Sequence, residues 1–308
     1  MKKNLCFSFL LCLACQLTAQ QSSRFTQSAD EFGLDNPAGL TFEEMRYRCA
    51  TLGGYLRNQW WKGAGFPRAQ AVSWLDARPA RYHYGATFVT DKIGETRTLG
   101  LQGRYAHTLV EGLKIGILAA GYSQQINVEN LDQYDENDPL AAEAGETRWR
   151  LAVGAGAFYH LFERKRRTWH WFAGAAFRRS FPLSKLPGGG GPPAETDLFA
   201  QGGLGHRDSW LVGGRLRASL YQPAALDLYG RKYFINGNYF VGGIFTSDKK
   251  YQTAGVQAGF ERELRLGSDG DNHYLAVSLG FSKPLSNYIE GNNLIFDMRA
   301  TWILEQTR

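Results

Sequence analysis

Residues 81–105 have the sequence RYHYGATFVTDKIGETRTLGLQGRY, and this stretch decides the fold. Apolar and polar residues alternate in two runs, one on each side of the turn sequence Asp91-Lys92-Ile93-Gly94. A period of two is typical of a β-strand whose two faces meet different surroundings. Two such runs joined by a short link that contains glycine predict a β-hairpin.

The same alternation continues along most of residues 45 to 305. We expect strands at 46–60, 67–78, 81–90, 97–108, 113–126, 147–160, 168–180, 195–206, 209–220, 225–235, 238–246, 251–264, 272–283 and 292–304. Bacterial outer-membrane barrels have an even number of antiparallel strands, so we predict a transmembrane antiparallel β-barrel of about 14 strands, with 12–16 allowed. No run of 18 apolar residues follows Gln20, so a membrane-spanning helix is not expected there.

The N-terminus has the features of an export signal. Lys2 and Lys3 precede an apolar run, and small residues before Gln20 offer a cleavage site, so we predict a signal peptide at 1–19. Ala14-Cys15 resembles the end of a lipobox, which leaves a lipid anchor open as an alternative. We expect a periplasmic N-terminal segment at 20–44 and an outer-membrane barrel at 45–308.

A soluble exported β-sandwich, with a carbohydrate-binding role, is the other all-β interpretation, since its strands also alternate. The barrel is favoured by one long series of strands, and by 36 Gly, 19 Phe, 15 Tyr and 8 Trp. The pairs Trp60-Trp61 and Trp169 with Trp171 lie near strand ends, as in the aromatic girdles of membrane barrels. Short and long links also alternate, and the longest are predicted at 127–146 and 181–194.

Charged residues recur on the polar faces of the predicted strands. In a barrel they would project into the lumen and pair across it. They are Arg57, Arg104, Arg150, Arg215, Arg217, Glu261, Glu263, Asp297 and Arg299. A lumen lined in this way would be partly filled, which argues against a wide open porin.

The sequence offers no candidate catalytic, cofactor-binding or metal-binding residue. The acidic stretch 127–147 lacks the spacing of an EF-hand, and the glycine-rich stretch 186–193 precedes no phosphate-binding motif. Cys49 is the one cysteine after the predicted signal peptide, so neither an intramolecular disulfide nor a cysteine-based metal site is expected. The net charge of +6 includes no Lys/Arg tract longer than 164–167, so a nucleic-acid partner is not expected either.

Several short motifs resemble the PorP/SprF family of type IX secretion system membrane proteins. Asp35-Asn36-Pro37-Ala38-Gly39 is similar to the opening motif of that family, and Arg57-Asn58-Gln59-Trp60 is similar to its first strand. The hairpin from Gly85 to Gly94 is similar to its second hairpin. The sequence departs from the family at Thr41-Phe42-Glu43-Glu44, an insert with the pattern of a helix N-cap.

The resemblance implies a non-enzymatic outer-membrane barrel in type IX secretion or gliding motility. Its partners would be a secreted protein with a type IX C-terminal domain, such as an adhesin, or other components of the secretion system. Outer-membrane lipid would surround the barrel. The alternative within the same fold is a passive outer-membrane channel or solute transporter.

Overall fold

The fold was obtained as a computed structural model of the 308-residue chain. It describes residues 35–41, 44–45, 49–60, 68–79, 81–93, 96–126, 147–162, 169–183, 194–206, 209–219, 224–234, 238–247, 252–264, 272–285 and 294–305. Among these residues, no helix is long and apolar enough to cross a membrane. The strands are β1 (Cys49–Trp60), β2 (Arg68–Asp76), β3 (Tyr82–Ile93), β4 (Thr96–Val110), β5 (Leu113–Ile126), β6 (Thr147–Phe162), β7 (Trp169–Pro182), β8 (Glu195–His206), β9 (Trp210–Ser219), β10 (Ala225–Phe234), β11 (Tyr239–Ser247), β12 (Gln252–Leu264), β13 (Asn272–Pro284) and β14 (Leu294–Glu305).

These strands form one closed antiparallel barrel. Each strand pairs with its neighbours in sequence, and β14 closes the ring by pairing with β1 from Cys49 opposite Glu305 to Trp60 opposite Leu294. Closure satisfies the backbone groups that an open sheet edge would leave unpaired in lipid. The predicted fold is confirmed, and each of the fourteen predicted strands corresponds to one strand of the barrel.

The outward face of the barrel is apolar. In the hairpin β3–β4, Phe88 and Leu101 are paired across the strands and point outward, with 47% and 61% of their surface exposed. Their neighbours in sequence, Thr87 and Gln102, point inward and are buried. Because lipid solvates apolar side chains, these exposed residues match the bilayer that a transmembrane barrel requires.

Aromatic side chains gather on the outward face at one end of the barrel. Trp169 of β7 packs edge-on against Trp210 of β9, with ring centroids 5.2 Å apart. In β3, Tyr82 stacks with Tyr84 and with Tyr105 of β4. Such a belt is typical of a membrane–water interface, where amphipathic rings meet the headgroups.

The lengths of the links between strands orient the barrel. At the aromatic end β4 and β5 are joined by Glu111 and Gly112 alone, and Gly112 has a φ of +82°, a backbone conformation that favours glycine. At the opposite end β5 and β6 are separated by 127–146, and β7 and β8 by 183–194. Short turns face the periplasm and longer loops face outward in such barrels, so the aromatic end is periplasmic.

Candidate functional site in the barrel lumen

The inward face of four adjacent strands carries a row of small residues in the periplasmic half of the lumen. Ala106 of β4 lies opposite Gly116 of β5, Gly116 opposite Gly156 of β6, and Gly156 opposite Ala176 of β7. Gly174 is the next inward-facing residue of β7 after Ala176 in the direction of the periplasmic end. Glycine within a strand often marks a place where another backbone approaches closely.

Residues 35–41 and 44–45, here called the lumen segment, lie against this row. A Cβ atom added to Gly116 would be 2.7 Å from the nitrogen of Ala38 and 2.8 Å from the carbonyl carbon of Pro37. A Cβ added to Gly174 would be 2.8 Å from Nδ2 of Asn36. The small residues are therefore required for the lumen segment to dock.

A tight turn shapes the start of the lumen segment. The amide nitrogens of Ala38 and Gly39 donate hydrogen bonds to the side-chain oxygen and the carbonyl oxygen of Asn36, at 3.0 and 2.8 Å. Asn36 also donates from Nδ2 to the carbonyl oxygen of Ala157 in β6, at 3.0 Å. Asn36 thus fixes the turn and connects it to the barrel, which explains why an Asx residue suits this position.

Side chains of the barrel bind the carbonyl groups that the turn exposes. His83 of β3 donates from Nε2 to the carbonyl oxygen of Pro37 at 3.2 Å, in a tautomer that carries its proton there. Arg104 of β4 donates from its guanidinium to the carbonyl oxygen of Gly39 at 3.1 Å. Buried carbonyl groups need such partners, so these two residues stabilise the docked turn.

Thr41 and Glu44 form the helix N-cap that the sequence pattern indicated. The amide of Thr41 donates to the Glu44 carboxylate at 2.8 Å, and the amide of Glu44 donates to the Thr41 hydroxyl at 3.3 Å. Met45 closes one helical turn by donating from its amide to the carbonyl oxygen of Thr41. Thr51 of β1 donates to the same carboxylate at 2.9 Å, so this capping box is bound to the barrel.

An apolar cluster fills the space beside the lumen segment. Ala38, Leu40 and Met45 contribute from the segment. The barrel contributes inward-facing side chains from β2, β4, β6, β7, β9, β10 and β11, namely Leu75, Ala106, Phe158, Phe172, Leu211, Tyr229, Tyr233 and Ile244. Burial of this apolar surface stabilises the docked segment in addition to its hydrogen bonds.

A chain of ion pairs joins the lumen segment to β9 and β10. Arg215, 1% exposed, donates to Asp35 at 3.0 Å and to Asp227 at 3.0 Å. Asp227 also accepts from Arg217 at 3.1 Å. Two guanidinium groups and two carboxylates balance one another here, which is the condition for burying such charges.

The residues predicted to line the lumen all lie on inward-facing positions. The sequence alternation had indicated this for Arg57, Arg104, Arg150, Arg215, Arg217, Glu261, Glu263, Asp297 and Arg299, and the strand registers confirm it. Arg150 pairs with Glu195 at 3.1 Å. Arg178 and Asp197, which the sequence pattern did not single out, form a further pair at 2.8 Å in the outer half of the lumen.

Other predicted regions fall partly or wholly outside the described residues. These are the signal peptide 1–19, the acidic stretch 127–146, the basic stretch 164–167 and the glycine-rich stretch 186–193. Of the segment predicted to be periplasmic, 20–44, the structure describes 35–41 and 44, and these lie within the lumen. Within the described part of the chain, no three His, Cys, Asp or Glu side chains are grouped as a metal site, and Cys49 is a buried free thiol.

A closed fourteen-strand barrel with an apolar outer face and a charged, occupied lumen is an outer-membrane β-barrel. Residues 17–169, about half of the chain, match the model of the family described as type IX secretion system membrane protein PorP/SprF. This match confirms the resemblance drawn from the sequence motifs. Over residues 17–169 the chain therefore belongs to this family of membrane proteins.

Solved structures that resemble the chain are outer-membrane proteins of low sequence identity. The toluene transporter TodX of Pseudomonas putida is 11% identical, with 94% of this chain and 95% of that chain covered and a TM-score of 0.44. A FadL homologue of Pseudomonas aeruginosa is 9% identical, with coverage of 88% and 92% and a TM-score of 0.48. CdiB from Acinetobacter baumannii is 8% identical with a TM-score of 0.42, and the match covers 82% of this chain and 60% of CdiB. No curated protein matches the sequence.

Proposed function

We propose that this protein is a non-enzymatic outer-membrane barrel of the type IX secretion and gliding system that binds a partner protein. The partner would be a secreted protein, such as an adhesin, that the barrel binds through the C-terminal domain of that protein. Alternatively, the partner would be another component of the secretion machine. The observation that supports this proposal is the occupied lumen. A barrel whose own chain fills the periplasmic half of its lumen is better suited to binding at its outer end than to passing solutes.

The contacts of the lumen segment argue against the alternative of a passive channel. Opening a path along the row of small residues would break the hydrogen bonds that His83 and Arg104 make to the turn. It would also separate Asp35 from Arg215 and leave a buried guanidinium with one carboxylate fewer. The hydrogen bond from the charged Arg104 guanidinium contributes about 1.5–3 kcal/mol and the neutral one from His83 about 0.5–1.5 kcal/mol, so displacement of the segment without a compensating ligand is costly.

The outer end of the barrel is the proposed binding surface. The strands β4, β5 and β6 have 15, 14 and 16 residues. A tilted strand needs only about 9–11 residues to cross the hydrocarbon core, so these strands are long enough to extend beyond it. β5 leads into the stretch 127–146 and β6 leads out of it. We propose this stretch as the main contact with the partner, together with 181–194.

Affinity purification from detergent-solubilised outer membrane tests this proposal. A tagged wild-type chain is compared with a variant in which 127–146 is replaced by a short Gly/Ser link, and with a control in which 286–291 is replaced in the same way. Mass spectrometry is expected to find a type IX secreted protein or secretion component with the wild type and the control, and to lose it with the first variant. The proposal is wrong if the wild type enriches no such protein, or if deleting the gene leaves every type IX substrate secreted and attached to the surface.

A further inference from the structure

Three cations lie side by side on the outward face at the outer ends of β2, β3 and β4. Arg68 is directly opposite Lys92, and Lys92 is directly opposite Arg97. Each of the three side chains is exposed. We call these residues the basic row. It belongs to the lipid-facing surface, so it is separate from the lumen and from the proposed binding of a partner protein.

The outward-facing neighbours of the basic row that the structure describes carry no negative charge. On the outward face its flanking cross-strand residues are the amides Asn58 of β1 and Gln125 of β5. Over the outer halves of β1 to β5, the described outward positions include no Asp or Glu. Like charges directly opposite one another destabilise a sheet, so the row carries an electrostatic cost that a bound anion would offset.

The basic row lies where the headgroups of the outer leaflet are expected. Four residues further along each strand, towards the middle of the barrel, are Val72, Phe88 and Leu101, which are 53%, 47% and 61% exposed. At a rise of about 3.3 Å per residue, the cations are roughly 13 Å along the strand from these apolar side chains. The long links orient this end of the barrel outward.

We propose that the basic row binds the phosphate groups of an anionic phosphorylated lipid in the outer leaflet. The two guanidinium groups donate paired hydrogen bonds to phosphate oxygens, and the Lys92 ammonium between them supplies a third positive charge. The acyl chains of the lipid pack along Val72, Phe88 and Leu101. One lipid that carries two phosphates would bridge the three strands and remove the repulsion between their cations.

The test uses the intact folded protein in a zwitterionic detergent, titrated with bisphosphorylated lipid A and followed by native mass spectrometry. Each cation near an anionic lipid surface is expected to change affinity about fivefold, so the triple variant R68Q/K92Q/R97Q should bind about a hundredfold more weakly. The control R179Q/K232Q/K283Q removes the same charge from three exposed positions on separate strands, and it should differ from the wild type by no more than about twofold. Equal unfolding temperatures show that both variants are folded.

Two further probes identify the source of the phosphate. Phosphatidylcholine should not replace lipid A on the wild-type protein, and inorganic phosphate in the millimolar range should not compete with it. The proposal is overturned if R68Q/K92Q/R97Q binds lipid A as well as the control R179Q/K232Q/K283Q does. It is also overturned if phosphatidylcholine binds the wild type as tightly as lipid A, or if inorganic phosphate displaces lipid A. The single variants K92Q and K92R provide a graded check, since K92R should retain binding and K92Q should weaken it about fivefold.

Discussion

Substitution of Gly116 by alanine should release the lumen segment without unfolding the barrel. The new Cβ atom would lie 2.7 Å from the nitrogen of Ala38 and 2.8 Å from the carbonyl carbon of Pro37. Unstrained contacts of this kind need about 3.5 Å or more, so the segment must move by roughly 0.7 Å or leave its site. Overpacking of this size costs about 1–3 kcal/mol. A middle value of about 2 kcal/mol shifts the ratio of docked to undocked segment about thirtyfold.

Hydrogen–deuterium exchange with mass spectrometry measures this ratio locally. The amides of Ala38, Gly39 and Met45 donate hydrogen bonds that exist only in the folded turn and cap. Exchange of a peptide that covers 35–45 should therefore become about thirtyfold faster in the Gly116→Ala protein. Peptides from the strands β5 and β6 should exchange as in the wild type.

The matched control for this experiment is Gly121→Ala on the same strand. A Cβ atom at Gly121 meets nothing within 4 Å, so this substitution should leave exchange at 35–45 unchanged. If the peptide 35–45 is protected equally in the wild type, the Gly116→Ala protein and the control, then the segment does not dock against Gly116, and our description of the lumen is wrong. If the strands of the Gly116→Ala protein also lose protection, the substitution has damaged the barrel, and the docked segment is not the separable unit that we describe.

The remaining predictions concern the turn of the lumen segment, the buried ion pairs and the lipid-facing surface. Asn36→Ala removes the hydrogen bonds that Asn36 makes with Ala157 and Ala38, at a cost of about 1–3 kcal/mol in the free energy of docking. Exchange of the peptide 35–45 should therefore become faster. Unchanged exchange would contradict the role of Asn36 in the turn. Arg215→Leu breaks a buried ion pair and should lower the free energy of unfolding in lipid vesicles by about 3–5 kcal/mol. The control Arg179→Leu replaces an exposed residue and should change this free energy by about 0.5 kcal/mol or less. Equal effects of the two substitutions would contradict the buried network. Leu101→Arg on the lipid face should cost about 2–4 kcal/mol, and Leu109→Arg near the periplasmic interface only about 0–1 kcal/mol; a reversed order would contradict the assigned membrane position.

The strands could be predicted from the sequence because lipid and lumen impose opposite demands on successive residues. In β3 and β4 the side chains of Phe88 and Leu101 meet lipid, while those of Thr87 and Gln102 meet the lumen. This contrast produces the period of two that the sequence displays. The predicted strand 81–90 is observed as Tyr82–Ile93, so the alternation located the strand well and its outer end less well. The position of this outer end depends on how far the strand pairs with its hairpin partner. The alternation within a single strand does not reveal that pairing.

The docking of the lumen segment could not be predicted from local patterns. Asn36 and Ala157 are separated by 121 positions in sequence, and Asp35 and Arg215 by 180. Such contacts follow from the closure and register of the whole barrel. One signal was present, since Gly116, Gly156 and Gly174 occupy inward positions where a larger side chain would be expected to fill the lumen. The alternation alone does not say which backbone approaches these glycines.

The sequence predicts charged residues on the lumen face, but it predicts the residue that lies opposite each of them only in some cases. Arg215 and Asp227 face each other across one hairpin, β9–β10, so the short link between these strands constrains their pairing. Arg57 and Asp297 are opposite each other only because β1 and β14 close the barrel. A sequence pattern assigns each residue to the lumen face, and the register of the closed sheet then selects its partner.

Ion conductance of the intact protein in planar lipid bilayers tests the central claim most directly. The claim is that the chain fills its own lumen and acts by binding a partner, so it should not serve as an open channel. The intact chain is expected to show no steady open-pore current, because His83, Arg104 and Arg215 hold the lumen segment in the periplasmic half of the barrel. A steady ohmic conductance of the wild-type protein would contradict this account and would favour the passive channel.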